Sequence, residues 1–392
     1  MVTRKEILSW LRESDPCRLE QLWQRADQTR RQECGDEVHL RGLVEWSNAC
    51  ARRCAYCGLR ADNTSLTRYC MTSGEVVDCA RRAEELGYGT VVIQAAEDAR
   101  LTLELVAEVV RKIKADTTQA VTLSLGERTW AELAAWRDAG ADRYLLRFET
   151  SDRELFRRIH PPQPGSEWSD RFDVLAALKE LDYEVGSGVM VGIPGQSYET
   201  LADDIEWFAR LDLDMIGLGP YLPHPKTPMG QGKIPPLPNG QQVPNTELMT
   251  YKVLALTRLV APRTNIPSTS ALATMNYDGG REGGLMRGAN VIMPNVTPSK
   301  YRAYYEIYPA KACIRESNEN FDQLLRERLE SIERRVGTGR GDSPNYHTMS
   351  PPRHDATTKP NGLRLGSAVK NRPEQTSFDS SSEQPLDPNH LP

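Results

Sequence analysis

Cys50-Ala51-Arg52-Arg53-Cys54-Ala55-Tyr56-Cys57 sets three thiols in one short segment. That spacing suits three corners of a cubane iron–sulfur cluster, for which thiolates are the ordinary protein ligands. A cluster that only relays electrons normally takes four thiolates; three leave one iron with an open position, where a small molecule can bind and be activated. The competing chemistry is a zinc site made of Cys54, Cys57 and a pair among Cys50, His39, Cys70 and Cys79. Zinc knuckles favour two paired hooks, and a second hook of the CxxC kind is missing from the sequence. Cys17, Cys34, Cys70 and Cys79 read as ordinary thiols, the last packed within a helix.

The segments around these cysteines alternate between short β-rich runs and amphipathic helical runs, the pattern of repeated βα units on a parallel sheet. Eight strands are expected: Val38 to Val44, Thr90 to Ile93, Ala120 to Leu125, Arg143 to Leu146, Glu184 to Met190, Met215 to Leu218, Asn265 to Ser268 and Ala289 to Met293. Eight units favour closure into an α/β barrel of the (β/α)8 TIM type; an open doubly wound sheet shows the same alternation. Either way, reactive residues belong at the C-terminal ends of the strands, and the cysteines follow the first one. Helices are expected over Ser73 to Leu86, behind the capping box Thr72-Ser73-Gly74-Glu75, and over Leu101 to Ile113.

Two further helices, one opened by the box Thr3-Arg4-Lys5-Glu6 and one around Leu19 to Arg30, make residues 1–36 an N-terminal helical extension. The barrel is assigned to 37–335. From 336 to 392 the composition shifts to Gly, Ser, Pro, Asn and Asp, which predicts a disordered C-terminal tail. Arg340-Gly341-Asp342 within it matches an adhesion tripeptide and is read as chance, since no secretion signal precedes it.

With 39% hydrophobic residues the 392-residue chain can build a core, and a net charge of -5 argues against coating nucleic acid or an anionic membrane. Eight cysteines would suit a disulfide framework only in a short secreted chain. The charged N-terminus and the lack of a long apolar run predict a cytoplasmic protein with a small-molecule substrate.

The CxxxCxxC spacing, with an aromatic residue before the last cysteine, resembles the radical SAM superfamily. Its flanks, Arg41-Gly42-Leu43-Val44-Glu45-Trp46-Ser47-Asn48 and Cys57-Gly58-Leu59-Arg60-Ala61-Asp62-Asn63, are similar to those of the HydE family of FeFe-hydrogenase maturases, itself biotin synthase-like. So are Thr122-Leu123-Ser124-Leu125-Gly126-Glu127, Asp142 to Arg147, Met190-Val191-Gly192-Ile193-Pro194-Gly195-Gln196 and Gly288 to Asn295. The resemblance implies one 4Fe-4S cluster on Cys50, Cys54 and Cys57. It further implies S-adenosylmethionine held by Tyr56, Gln94, Glu149, Arg171 and Met190, and cleavage of that cofactor to a 5'-deoxyadenosyl radical.

The same resemblance assigns Thr122, Arg143, Arg147, Tyr305 and Tyr308 to a substrate cavity and implies a role in assembling the diiron subcluster of the hydrogenase. The substrate would be a small organometallic or amino-acid-derived molecule. A flavodoxin or ferredoxin would supply electrons, and other hydrogenase maturation proteins would take the product. Histidines enter only as structure, His224 shaping a loop and His160 standing before Pro161 and Pro162. Three departures from the family pattern stand out: Ala95-Ala96 where Ser-Gly is usual, Phe148 where histidine is usual, and Cys313 alone where some members hold a second cluster on three cysteines. A single-cluster mutase or a biotin synthase-like enzyme is the alternative, and a non-catalytic barrel is a third.

Overall fold

The computed structural model describes residues 2–162, 169–316 and 321–346. Its strands are β1 (Glu37–Ser47), β2 (Thr90–Ala95), β3 (Ala120–Ser124), β4 (Arg143–Leu145), β5 (Glu184–Val191), β6 (Met215–Pro220), β7 (Val291–Ile292) and β8 (Arg335–Val336). β1 to β6 pair in sequence order, every pair parallel, and β7 and β8 both add in parallel to β1. Between β6 and β7 the wall is completed by two parallel bridges, Asn265 to Met215 and Pro267 to Val291. The strand expected at Asn265 to Ser268 is reduced to these bridges because Pro267 has no N–H to give to a ladder.

Successive strands are joined by helices that begin where the sequence supplies caps. Thr72 and Thr129 form capping boxes with Glu75 and Glu132, and Asp152, Asp170 and Ser197 cap the helices Arg153–Ile159, Arg171–Glu180 and Tyr198–Arg210. Each helix turns an apolar stripe to the sheet; in Leu103–Asp116 it is Val106, Ala107, Val109, Val110 and Ile113, all buried. Burial of a side chain of the Val or Ile kind contributes about 1.5–3 kcal/mol, so each such stripe holds its helix against the sheet.

The N-terminal helices, Arg4–Arg12 and Pro16–Cys34, pack on Tyr198–Arg210 and Glu247–Val260. Lys252 Nζ closes the first of them, donating to the carbonyls of Leu11 at 3.1 Å and Glu13 at 2.5 Å.

At the other end of the chain the boundary at 336 moves. Val336 belongs to β8, and residues 337–343 cross the N-terminal mouth of the barrel. The Gly341 carbonyl accepts from Arg41 Nη2 and Asn265 Nδ2, both at 3.0 Å, and Ser343 N donates to Glu184 Oε1 at 3.0 Å. The tripeptide Arg340-Gly341-Asp342 is thus part of the barrel floor. Disorder expected for 347–392 falls outside the described residues.

Candidate active site

β1 delivers the cysteine loop to the C-terminal mouth of the barrel, and four other segments pin it there through backbone hydrogen bonds. Ala51 N donates to Glu97 O (3.0 Å), Ala55 N to Ile159 O (2.8 Å), Gly58 N to Ile307 O (3.0 Å), and Met229 N to Ala55 O (2.9 Å). Arg68 holds the exit of the loop, its guanidinium donating to the carbonyls of Asn48, Leu59, Arg60 and Asn63. Gly58, next to Cys57, is required by space: a Cβ there would stand 2.2 Å from the Glu306 carbonyl oxygen and 2.6 Å from the His224 ring.

All three loop cysteines are free and half-buried. Burial pushes the Cys54 thiol up to about 12, with the nearby Arg171 opposing; burial and the neighbouring Cys54 and Cys50 push Cys57 up as well. Neighbouring thiols that raise one another ionise together only where a cation neutralises them, which is what iron does for a ligating thiolate. His39 packs against Gly337 and Gly341 at the opposite end of the barrel, which takes it out of a zinc set with Cys54 and Cys57.

Below the loop lies a cavity of about 270 Å³ whose wall includes Tyr56, Cys57, Gln94, Arg147, Glu149, Met190 and Tyr308. Glu149 sits on this wall with φ 62, a left-handed conformation that costs a non-glycine residue about 1–3 kcal/mol. The position is enforced by β5, since Glu149 N donates to Gly188 O at 2.9 Å and Glu149 bridges to Val189. Its carboxylate is buried with Oε2 unpartnered, and burial raises its pKa against the pull of Arg147 and Arg171. A strained, buried acceptor facing an open cavity beside three thiols fits a cationic or hydrogen-donating ligand bound at the cluster loop.

Arg171 is only 7% exposed, which removes the possibility of a surface arginine. It ion-pairs Glu127 at 2.9 Å and donates to the Arg147 carbonyl at 2.5 Å. Arg52, from inside the cysteine loop, reaches the same Glu127 at 3.1 Å and lies 3.9 Å from Glu97. Glu127, between two guanidinium groups, is held below the usual carboxylate range, whereas burial raises Glu97. Arg171 borders Cys54, Tyr56 and Glu149 electrostatically without lining the main cavity.

Of the expected substrate contacts, Arg147 and Tyr308 line the cavity; Thr122, paired with Arg143 between β3 and β4, does not, and its hydroxyl is buried and unpartnered. The Arg147 guanidinium makes no hydrogen bond or ion pair among the described residues and rests against Gly217. Tyr305 is behind the wall, taking a hydrogen bond from Gln94 Nε2 at 3.2 Å. Arg143 is a correction. It lies at the barrel floor, fully buried, bonded to Glu184 (2.5 Å), Thr90 (2.7 Å) and Asp342, and does not reach the cavity.

Residues 44–208 match the Radical SAM superfamily. The chain is 43% identical to the [FeFe] hydrogenase maturase subunit HydE of Thermotoga maritima over 81% of its own length and 87% of that protein. It belongs to the HydE family. A 3-methylornithine synthase of Methanosarcina acetivorans is 25% identical over 83% of this chain and 86% of the relative. The crystal structure of methylornithine synthase superposes with a TM-score of 0.73 at 22% identity, covering 86% of this chain and 94% of that one, and shows the shared fold.

As a radical SAM enzyme, this HydE-family chain works with a 4Fe-4S cluster and S-adenosylmethionine. Its departures from the family pattern can now be placed. Phe148 packs in tilted contact with Phe172 and Phe208, facing the helices, because neighbours along an extended chain point to opposite sides; the cavity residues are 147 and 149. Ala95 and Ala96 are buried, and Ala96 N is used by Ser47 O at 2.9 Å. Cys313 lines the cavity wall as a buried free thiol.

Sequence reasoning passed over several residues. Lys311 and Glu45 form a buried pair at 2.5 Å on the cavity wall, and Thr269 Oγ1 and Asn295 Nδ2 line it unpartnered. Lys311 and Thr269 come from loops with no motif, Asn295 ends the quoted segment Gly288 to Asn295 with nothing to mark its side chain, and only folding brings them to β1. His160 takes part too: its Nε2 lies 2.7 Å from the Tyr56 hydroxyl, and burial, with Arg171 nearby, holds its pKa well below 6.5, so the neutral ring accepts.

Proposed function

We propose that Cys50, Cys54 and Cys57 hold the cluster, that Tyr56, Gln94, Glu149, Arg171 and Met190 surround S-adenosylmethionine, and that the cavity beneath receives a small iron-bearing precursor on the way to the diiron subcluster of [FeFe] hydrogenase. When bound, the cluster and S-adenosylmethionine supply reductive cleavage of the cofactor and a 5'-deoxyadenosyl radical. The protein's part is to bind, orient and shield.

The observation that carries this is Glu149: a strained, buried carboxylate with a free oxygen, on the cavity wall beside the cysteine loop. It accepts hydrogen bonds from the cofactor. Tyr56, fixed by His160, closes the pocket on the loop side, and the Arg52–Glu127–Arg171 chain keeps cationic charge next to the cysteines. Arg147, half-buried on the wall of a mostly apolar cavity and without an ion pair among the described residues, attracts an anionic substrate. Thr269 and Asn295, on the cavity wall, offer further unpartnered polar atoms to it.

The product passes to other hydrogenase maturation proteins, and a flavodoxin or ferredoxin provides the electron. The eight free cysteines suit the reducing cytoplasm. Among the described residues no helix is long and apolar enough to cross a membrane.

The test is anaerobic reconstitution with iron and sulfide, then electron paramagnetic resonance of the reduced protein with and without S-adenosylmethionine. A 4Fe-4S signal that shifts on adding the cofactor is expected. A signal indifferent to it would overturn the assignment. For the cellular role, a strain lacking this gene should lose active hydrogenase, and normal maturation there would refute it.

A further inference from the structure

Asp204, on the helix Tyr198–Arg210, is fully buried, does not line the cavity and has no ion pair among the described residues. A carboxylate without a counter-charge is costly to bury, and burial raises this one to about 7. Three donors from two separate segments hold it. Oδ1 accepts from the Ser151 amide and hydroxyl, both at 2.6 Å, and Oδ2 accepts from Gln196 Nε2 at 3.1 Å. Seating the helix does not require such a group, since Leu201, Ala202, Ile205 and Phe208 already bury its apolar side.

Each of the two segments carries a residue assigned above to the cofactor. Ser151 stands two places after Glu149, whose φ of 62 persists only where the surrounding structure over-determines it. β5 fixes Glu149 through its amide and Gly188 O, and Asp204 fixes the chain that follows. Gln196, also fully buried, extends the grip to the end of β5: its Nε2 donates to the Met190 carbonyl at 3.2 Å, and its Oε1 accepts from Gly192 N at 2.7 Å. Met190 N donates in turn to the Glu149 carbonyl at 3.4 Å. Hydrogen bonds thus close a ring through Asp204, Ser151, Glu149, Met190 and Gln196, and two of its members stand on the cavity wall.

We infer that Asp204 is a positioning residue for S-adenosylmethionine: from behind the wall it clamps the turn 149–151 to the end of β5, and so fixes the Glu149 carboxylate and the Met190 side chain relative to each other. The inference rests on the cofactor assignment above and deepens it, naming the group that keeps Glu149 in its strained place. Groups that touch a ligand hold their geometry only when a further layer of hydrogen bonds locks them, and Asp204 with Gln196 is that layer here.

The test uses the full chain, reconstituted with iron and sulfide. In Asp204→Asn either orientation of the amide sets an N–H against Ser151 N or Gln196 Nε2, so one arm of the clamp opens at nearly constant volume. The Kd for S-adenosylmethionine, by calorimetry, should rise about tenfold, the scale on which orienting partners of bound groups act. KM for 5'-deoxyadenosine formation should rise with it, while kcat at saturating cofactor is retained. Ser151→Ala, which removes one bond and leaves the other two, should raise Kd in the same direction by less, and it carries the test if Asp204→Asn does not fold. Val110→Ala, in the helix Leu103–Asp116, should lower the urea midpoint and leave Kd unchanged; an equal rise there would show a general loss of stability and overturn the proposal. A double-mutant cycle decides whether Asp204 acts through Glu149: Asp204→Asn should then weaken binding less in a Glu149→Gln background than in the parent. Losses that simply add, or an unchanged Kd in both Asp204→Asn and Ser151→Ala, would also overturn it. If the parent protein itself neither binds nor cleaves the cofactor, the cofactor assignment has failed instead.

Discussion

Arg143 and Arg147 stand on one strand and its extension, four residues and about 13 Å apart along an extended chain, and they lead opposite lives. At the floor, Arg143 is fully buried and matched by Glu184, Thr90, Asp342 and the Arg340 carbonyl. At the mouth, Arg147 has no ion pair among the described residues, and its neighbours Glu149, Thr269 and Asn295 each keep an unpartnered polar atom. One end of the barrel satisfies its polar groups within the chain; the other leaves them for something to be bound. Stability is built at the floor and binding at the mouth, from the same residue types.

The largest effect expected is at the mouth. Cys54→Ala should abolish formation of 5'-deoxyadenosine, measured anaerobically by chromatography, while leaving the circular dichroism spectrum of the apoprotein intact.

The second expectation sets the two arginines against each other. Arg143→Met strands Glu184 and Asp342 and should cost about 3–5 kcal/mol of stability, seen as a lowered urea midpoint. Arg147→Met should leave that midpoint within about 1 kcal/mol of the parent or raise it, because it removes an unpaired charge. It should still cleave S-adenosylmethionine but no longer couple cleavage to substrate turnover. Equal destabilisation by both would erase the distinction between the ends.

Third, Glu149→Gly relieves a left-handed backbone and an unpartnered carboxylate together. It should raise the thermal midpoint while weakening cofactor binding about 10- to 100-fold, the loss of one charge-assisted hydrogen bond of ~1.5–3 kcal/mol, measured by calorimetry on the reconstituted protein. Tighter binding, or a lower midpoint, would contradict the strain argument.

The smallest effect concerns pH at the floor. Burial, with Arg41 and Arg143 nearby, lowers the pKa of His39 from 6.5 to about 4. Below pH 6.5 the unfolded chain therefore binds a proton that the folded chain refuses, so this residue's contribution is intact above 6.5 and is lost as pH falls toward 4. His39→Gln should flatten the decline of the urea midpoint between pH 6.5 and 5; an unchanged slope would remove His39 as its source.

Much of this was legible in the chain. The capping boxes Thr3 with Glu6 and Thr72 with Glu75 form as expected, and the first six strands lie within a few residues of where the apolar runs placed them. These follow from local chemistry: a threonine hydroxyl and a glutamate three residues on meet across one helical turn wherever that turn forms. The cysteine motif was legible for the same reason, its ligands being adjacent in sequence. Pro267, in plain view, broke an expected strand because a missing donor counts only where a neighbouring strand needs it.

What the sequence by itself determined was the βα order, the thiol loop and which residues alternate inward along each strand. Period-two alternation sends both Arg143 and Arg147 into the barrel and cannot say which end is open. That was decided by tertiary structure, when residues 337–343, about 200 positions away in sequence, laid Asp342 and the carbonyls of Arg340 and Gly341 across the floor. The same holds for Lys311, Thr269 and Asn295 in the cavity. A site assembled from distant segments is set by how helices and strands pack, and packing energy is a property of the closed barrel, absent from any local stretch of chain.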